Sequence, residues 1–431
     1  MKKLDINVHH LTRVEGHGNV VVNYEKGKVE NFQLQIVESP RFFEVMLQGR
    51  HITEAPHITG RICGICSVGH TTASLKAAEK ALGITPSEQT QEMRKVLLNA
   101  EFIQSHVLHA CFLVLPDFLN VGSVIPLAET HPEEVKRALR LKKLGNDICE
   151  VLVGRHIHPV SMTVNGFTRI PSESEFEKVR KMLLDSEDDI LKMVALFKTL
   201  KMPDFVNDTE NIGLTSDGEE FCLYDGKITS SYGKIIEDEN DYLELIKERV
   251  VEHSSAKHVK GEGETYAVGA LSRLNLSAEK LHPKAKVLVE EFGLELPNYN
   301  PFNNNVAQVI ETVHCFYDSI ERIENLLEKG IKQENYKDYE VKAGRGAGAC
   351  EVPRGILFHD YEIDEKGIIV KANCIIPTGQ NLANIEKNMR KLVPEIIDKP
   401  KEEITHSLEM LVRAYDPCIS CSAHFLDVEF V

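Results

Sequence analysis

The sequence predicts an α+β fold, mainly α, with a long-helix core and β-structure near both chain ends. Two observations carry this reading. Apolar residues recur at helical spacing through long stretches of the middle of the chain. Period-two alternation around glycine-bearing turns marks the first sixty residues and part of the last ninety or so. The 431 residues are read as one domain, 1–431, in five stretches.

Residues 1–60 form an N-terminal β region of strands and turns. In it, NVVVNYEKGKVENFQLQIVE alternates apolar and polar residues about a glycine and reads as a hairpin. From Thr71 the period changes. TTASLKAAEKALGI, SEQTQEMRKVLLNAEFIQSHVLHACFLVL and PEEVKRALRLKKLGNDICEVLVGRHIH are helical, so 61–207 is a helical core. SESEFEKVRKMLLDSEDDILKMVALFKTL continues it behind a capping serine. Residues 208–270 are rich in Gly, Asp and Tyr with short strand-like pieces such as CLYDGKITSSYGKII, and read as a peripheral β-rich insertion. Helical spacing returns over 271–340, in NNNVAQVIETVHCFYDSIERIENLLEKG. In 341–431 a Gly-rich turn, KAGRGAGACEVPRG, leads into a hairpin made of GILFHDYEID and GIIVKANCIIP. Two helices, from about Leu382 and Lys401, then deliver a final Cys-x-x-Cys.

Composition narrows the function. A net charge of −16 disfavours nucleic acid as a partner, because phosphate binding needs a basic face. No apolar run approaches a membrane span, and the start, MKKLDINVHH, has lysines without an apolar segment behind them. Ten cysteines in 431 residues are too few for a disulfide scaffold. A reducing cytoplasm is therefore expected, where paired cysteines point to metal or redox chemistry.

The pairs are Cys63/Cys66 in RICGICSVGH and Cys418/Cys421 in DPCISCSAH, each trailed by a histidine, His70 and His424. A Cys-x-x-Cys turn presents two thiolates to one side, and four soft sulfurs suit zinc, an Fe–S cluster, Cu(I), or nickel and iron. Cys418 lies 352 positions after Cys66, whereas zinc ribbons space their pairs by about 15–20 residues. A compact zinc module fits poorly, and a long-range zinc staple stays open. Cys111, Cys149, Cys222, Cys315 and Cys350 have no partner at ligand spacing and read as small buried residues. His106 and His109 are spaced for a metal pair on one helix face, but packing or supporting roles are the better reading.

With these motifs the chain resembles the large subunit of nickel–iron hydrogenases. RVEGHG (Arg13–Gly18), ESPRFFE (Glu38–Glu44), GRHIHP (Gly154–Pro159), EVPRG (Glu351–Gly355) and PTGQN (Pro377–Asn381) are similar to family segments in the same order. Their wording resembles the cytoplasmic, multi-subunit branch linked to NAD(P), ferredoxin or heterodisulfide reductase. The resemblance implies that Cys63, Cys66, Cys418 and Cys421 bind nickel. Cys66 and Cys421 would also bridge to an iron that carries carbon monoxide and cyanide. Dihydrogen would bind between the metals and split heterolytically. It further implies a proton acceptor in Cys418 or Arg354, and a first proton-relay carboxylate in Glu15. Asp416 would orient Arg354, with Pro353 beside it, and His70 would support a bridging sulfur. A magnesium (or iron) ion would be held by Glu44, His424 and the carbonyl of Cys374.

Ser105 stands where many family members have an aspartate, so Asp416 or another group must hold Arg354. The tail FLDVEFV, Phe425–Val431, is either cleaved during maturation or retained. No third cysteine cluster exists for an Fe–S relay. The implied partners are therefore an Fe–S small subunit, further flavin or Fe–S electron-transfer subunits, and maturation proteins, with H2 as substrate. Two other readings stay open: a non-catalytic subunit of the complex I-like relatives, which generally lack the four cysteines, and a zinc-stapled structural protein.

Overall fold

The computed structural model describes residues 3–25 and 28–423; His424 and the tail, and the glycine of the first predicted turn, lie outside them. Strands β1 (Lys3–Val8), β2 (Gly18–Glu25) and β3 (Lys28–Ile36) form an antiparallel meander in which the predicted hairpin is β2–β3. Alternation puts Val20, Val22, Phe32 and Leu34 on one buried face. They pack there with Leu382, Ile385, Leu408 and Leu411 of the C-terminal helices. The first and last parts of the chain therefore share a core. Residues 40–60 are not only strands and turns. Phe43–Leu47 and Ala55–Thr59 are one-turn helices, too short to show a period.

Four long helices build the middle. Helix α1 (Ser67–Leu82) stops at Gly83, whose φ of +70° is the left-handed cap. Helix α2 (Glu88–Val107) starts on Ser87, whose Oγ accepts from Thr90 N at 3.0 Å, and runs on through a π-helical stretch, Leu108–Val114. Helices α3 (Pro132–Val153) and α4 (Asn304–Lys329) pack against α2. Ser172 forms a capping box with Glu175, and the predicted continuous stretch breaks at Ser186 into Glu173–Asp185 and Glu187–Lys198. Against the expectation that no apolar run approaches a membrane span, Glu88–Phe118 is long and apolar enough to cross one by length and composition, but 83% of its apolar window is buried inside the protein. It is a core helix.

Two expectations need correction. KAGRGAGACEVPRG is a strand, not a turn: β4 (Gly344–Val352) pairs with β5 (Gly355–Ile363), which pairs with β6 (Ile369–Ile375). The predicted hairpin is β5–β6, two thirds of a three-stranded sheet. Gly344, Gly346 and Gly348 fall on one face of β4 because side chains alternate. A Cβ there would stand 2.1, 2.3 and 2.5 Å from the carbonyl oxygens of Ala81, Ala77 and Ala73. The glycines let strand and helix α1 touch backbone to backbone. The second correction concerns 208–270. Its strands Glu210–Thr215 and Lys227–Ser230 are not peripheral. Ile212, Leu214 and Ile228 share an apolar cluster with Ala347, Ile356 and Phe358 of β4 and β5.

Helices α5 (Pro377–Ile396) and α6 (Lys401–Ala414) lead to the second cysteine pair. PTGQN is the first turn of α5, with proline at the position that needs no N–H.

Candidate metal centre

The cysteine pairs meet where three distant pieces of chain end together. Cys66 is the N-cap of α1, and its N–H donates to Cys63 Sγ at 3.2 Å. Cys418 caps the single turn Ile419–Ser422, and its N–H donates to Thr378 Oγ1 at 2.9 Å, in the first turn of α5. Cys63 Sγ lies 3.6 Å from Cys418 Sγ, and the sulfurs of Cys63, Cys418 and Cys421 all lie within 4.8 Å of one another. All four cysteines are at most 5% exposed.

Glu15 arrives from the loop between β1 and β2. Its carbonyl accepts from Ile419 N at 2.8 Å, forming a bridge with Cys418, and its Oε2 accepts from Ser420 N and from the Cys418 thiol, each at 3.1 Å. Arg13, two residues before Glu15, is engaged elsewhere: it binds Asp117 and the carbonyl of Leu113, the latter at 2.7 Å.

Arg354 meets the other cysteine pair. It sits with Pro353 in the two-residue turn between β4 and β5, since Val352 pairs with Gly355. Its NH1 donates to Cys66 Sγ at 3.1 Å, and its NH2 and Nε donate to Asp416 Oδ1 and O at 2.9 and 2.7 Å. Burial works against its charge, but Asp416 and then the sulfurs of Cys66, Cys418 and Cys63 outweigh burial and hold it protonated. Asp416 has a φ of +49°, uncommon for a non-glycine residue. It also accepts from Gln308 Nε2 at 3.1 Å, so the departure at Ser105 leaves Arg354 well held. Ser105 Oγ itself is buried with no hydrogen-bond partner.

A wider shell of buried groups surrounds the centre, and two of them, Arg273 and Glu311, escaped the sequence reading because each looks like an ordinary helical polar residue there. Arg273 grips Glu311 with two donors at 2.6 and 2.7 Å, Glu351 at 2.7 Å, and the carbonyls of Val352 and Pro353 at 3.1 Å, fixing the turn that carries Arg354. Burial would raise the Glu311 pKa, but Arg273 overrides it and leaves the group lowered to about 2. His106 and His109 do not form a pair. His106 binds Glu311 at 2.9 Å, while His109 bridges Gln308 and the carbonyl of Arg413 at 2.5 and 2.7 Å. His70 lies 3.2 Å from His359, which reaches Tyr361 at 2.6 Å. Glu44 Oε1 accepts from Cys374 N at 2.9 Å, bringing those two predicted residues together. His424, the third of that set, lies outside the described residues.

Glu101 is the other group missed. It is buried on α2 and accepts from the N–H groups of Val68 and Gly69 at 2.7 to 3.2 Å, at the positive end of α1. A carboxylate on the apolar face of a helix was its only sequence signal. Burial outweighs those donors and raises its pKa to about 8. The unfolded group titrates near 4.5. Between these values the folded chain holds a proton that the unfolded chain releases, so stability falls as pH rises. Thermal unfolding of the metal-free chain from pH 5 to 8 should therefore show a decline in Tm that Glu101→Gln flattens. Equal slopes in the two proteins would contradict this account.

The thiols state what the site needs. Burial pushes the Cys418 and Cys421 thiols up, and the Cys66 thiol rises through its hydrogen bond with Cys63. Only Cys63 is lowered, by its contact with Cys418 and then with the sulfurs of Cys421 and Cys66. Four buried sulfurs with one adjacent guanidinium cannot all ionise unless cations take the place of protons. Soft donors at this density fit nickel and iron.

A family model described as nickel-dependent hydrogenase matches residues 41–137 and 217–424, and one described as HoxL-like matches residues 5–39. The alpha subunit of sulfhydrogenase 1 from Pyrococcus furiosus is 37% identical over 423 residues, covering 98% of each chain. The corresponding polypeptide of the F420-non-reducing hydrogenase of Methanothermobacter thermautotrophicus is 33% identical, over 97% of this chain and 94% of the relative. Among solved structures, an NAD+-reducing [NiFe]-hydrogenase in the H2-reduced state superposes with a TM-score of 0.88 at 27% identity, over 98% of this chain and 100% of that one. Likeness sustained over nearly the full length of both chains, at identities above 30%, places this protein in the nickel-dependent hydrogenase family as the catalytic large subunit of a nickel–iron oxidoreductase acting on hydrogen.

Proposed function

We propose that Cys63, Cys66, Cys418 and Cys421 hold nickel, that Cys66 and Cys421 also hold an iron bearing carbon monoxide and cyanide, and that Glu15 carries protons away from the centre. The contact of Cys418 Sγ with Glu15 Oε2 at 3.1 Å carries the reading. When bound, the bimetallic centre supplies an electrophilic site at which dihydrogen is polarised and its electrons are collected.

The residues of the chain then divide the work. Cys418 accepts a proton at Sγ and hands it to Glu15 Oε2, which the Ser420 N–H holds in position. Arg354 stays charged against Asp416 and the sulfurs, so it acts as a donor that orients and neutralises rather than as the base. Asp416 and Pro353 position it, and His70, whose backbone N–H donates to Cys66 O at 3.0 Å and whose ring meets His359, supports the Cys66 side. Each H2 yields two protons and two electrons.

Glu44 and the carbonyl of Cys374, with His424, would hold magnesium (or iron), and carboxylate and carbonyl oxygens suit that ion. Electrons would leave through an Fe–S small subunit, because the remaining cysteines here are scattered singly; further electron-transfer subunits and maturation proteins would complete the assembly. All ten cysteines are buried thiols, which favours a reducing cytoplasm.

Replacing Glu15 with glutamine keeps shape and removes the relay. Hydrogen uptake by the complex should fall by about 10²–10⁴-fold, the range for loss of a positioned acid–base group, with nickel and iron content unchanged. Uptake within a factor of two of the parent would remove Glu15 from the path.

A further inference from the structure

We propose that His253, His258 and Glu386 form a second metal site, separate from the cysteine centre, that binds a borderline divalent ion of the zinc class.

Three separate elements build it. Glu386 projects from helix α5. His258 lies on the strand Ser254–Lys260, and His253 in the turn that joins it to the strand Lys247–Val251. The pairing of these strands shifts register between Ser254 and His258, which bends the hairpin just where both histidines sit. One ligand atom from each of the three residues lies within 4.8 Å of the others. His253 Nε2 is 2.8 Å from Glu386 Oε1, and the two imidazole rings meet edge to face at 5.5 Å. Glu386 Oε1 also accepts from Leu34 N at 2.9 Å, so the carboxylate is oriented by the N-terminal sheet. Metal-binding carboxylates are commonly fixed by such a hydrogen bond.

A second observation is independent of this clustering. His258 is only 2% exposed, and its Nε2 is buried with no hydrogen-bond partner. Leaving a buried ring nitrogen unpaired is costly. A bound cation would satisfy the ring, because neutral imidazole is a good ligand for zinc. Burial, then the nearby His253 and Arg249, lower the His258 pKa to about 4, so its lone pair is free at neutral pH.

The donor set decides the ion. Two imidazoles and one carboxylate suit zinc and its neighbours better than magnesium or calcium, which prefer oxygen throughout. Three protein ligands leave a fourth position. Glu386 lines a cavity of about 350 Å³ together with Arg249, Lys387 and Arg390. Those cations would draw a small anion to the cavity beside Glu386. A metal here would clip the 247–260 hairpin to α5.

The test uses the purified hydrogenase complex, stripped of loosely held ions with a chelator that spares its nickel, and titrated with Zn2+ against a chromophoric competitor. The parent should take up one zinc per chain. His258→Gln should lose that equivalent. His253→Gln, at a half-buried turn position where folding is secure, should bind at least tenfold more weakly. Hydrogen uptake should be unchanged in His253→Gln, which separates this site from the cysteine centre. Loading with Co2+ should give the visible bands of a tetrahedral site in the parent alone. No zinc bound by the parent, or equal binding in the parent and His253→Gln, would overturn the proposal.

Discussion

Cys418→Ser should abolish hydrogen uptake and strip nickel from the complex while leaving the chain folded. Serine keeps the size of the side chain, and its hydroxyl can still donate to Glu15, so the buried surroundings lose little packing. What it cannot do is give up its proton at neutral pH to a soft metal, since the thiolate is the ligand. It would leave three sulfurs, with Cys63 deprived of its neighbour at 3.6 Å. Activity should drop below detection, at least about 10⁴-fold in a reaction that depends wholly on its metal. Nickel per chain should fall well below one equivalent, and Tm should move by only a few degrees. A zinc-stapled protein would respond differently, since loss of one ligand from a structural site unfolds it. Unfolding with no prior nickel in the parent, or nickel and uptake both retained in the variant, would each defeat the assignment.

How much of this was legible depended on whether the signal was local. Cys63, Cys66, Cys418 and Cys421 announce themselves through a four-residue spacing and a trailing histidine, and Glu15 and Arg354 sit in short recognisable strings. The three-dimensional reason for the long gap between the pairs is the delivery of α1 from one side and the turn after α6 from the other. Arg273 and Glu311 could not be found in the same way. Each is one polar residue on a helical stretch, and only the fold reveals that both are less than 2% exposed and that Arg273 ties Glu311 to Glu351. The one-turn helices at Phe43–Leu47 and Ala55–Thr59 are shorter than the window in which a period can be read. The misread glycines are more instructive. Read locally, KAGRGAGAC is punctuation, and glycine usually ends an element. Yet glycine at every second position is itself a period of two, the mark of a strand with one bare face. Its partner, α1, lies some 270 residues earlier, so nothing nearby in the sequence explained the need.

That seam sets the second large effect, on stability. Gly346→Val should prevent the protein from accumulating in soluble form, or lower Tm by well over ten degrees. A Cβ at Gly346 would stand 2.3 Å from both Ala77 O and Ala81 N, backbone atoms of a helix that cannot swing aside as a long side chain would. Ala73, Ala77 and Ala81 present the helix's own small face there, all at most 4% exposed. Valine adds two methyl groups beyond that clash, so β4 and α1 must separate. Forced separation of packed backbones belongs with the rare substitutions that cost more than about 4–5 kcal/mol. The consequence reaches the metal centre. Helix α1 begins one residue after Cys66, and β4 ends two residues before Arg354, so the seam fixes the 3.1 Å contact between Arg354 NH1 and Cys66 Sγ. Gly346→Ala should show the same fault in milder form, with folded protein but weakened uptake, because a displaced guanidinium no longer faces the sulfur. Gly122→Ala is the control: nothing lies within 4 Å of a Cβ at that position, and its Tm should match the parent. If Gly346→Val instead melts within a few degrees of the parent, close contact between strand and helix is not what holds Arg354 against the cysteines.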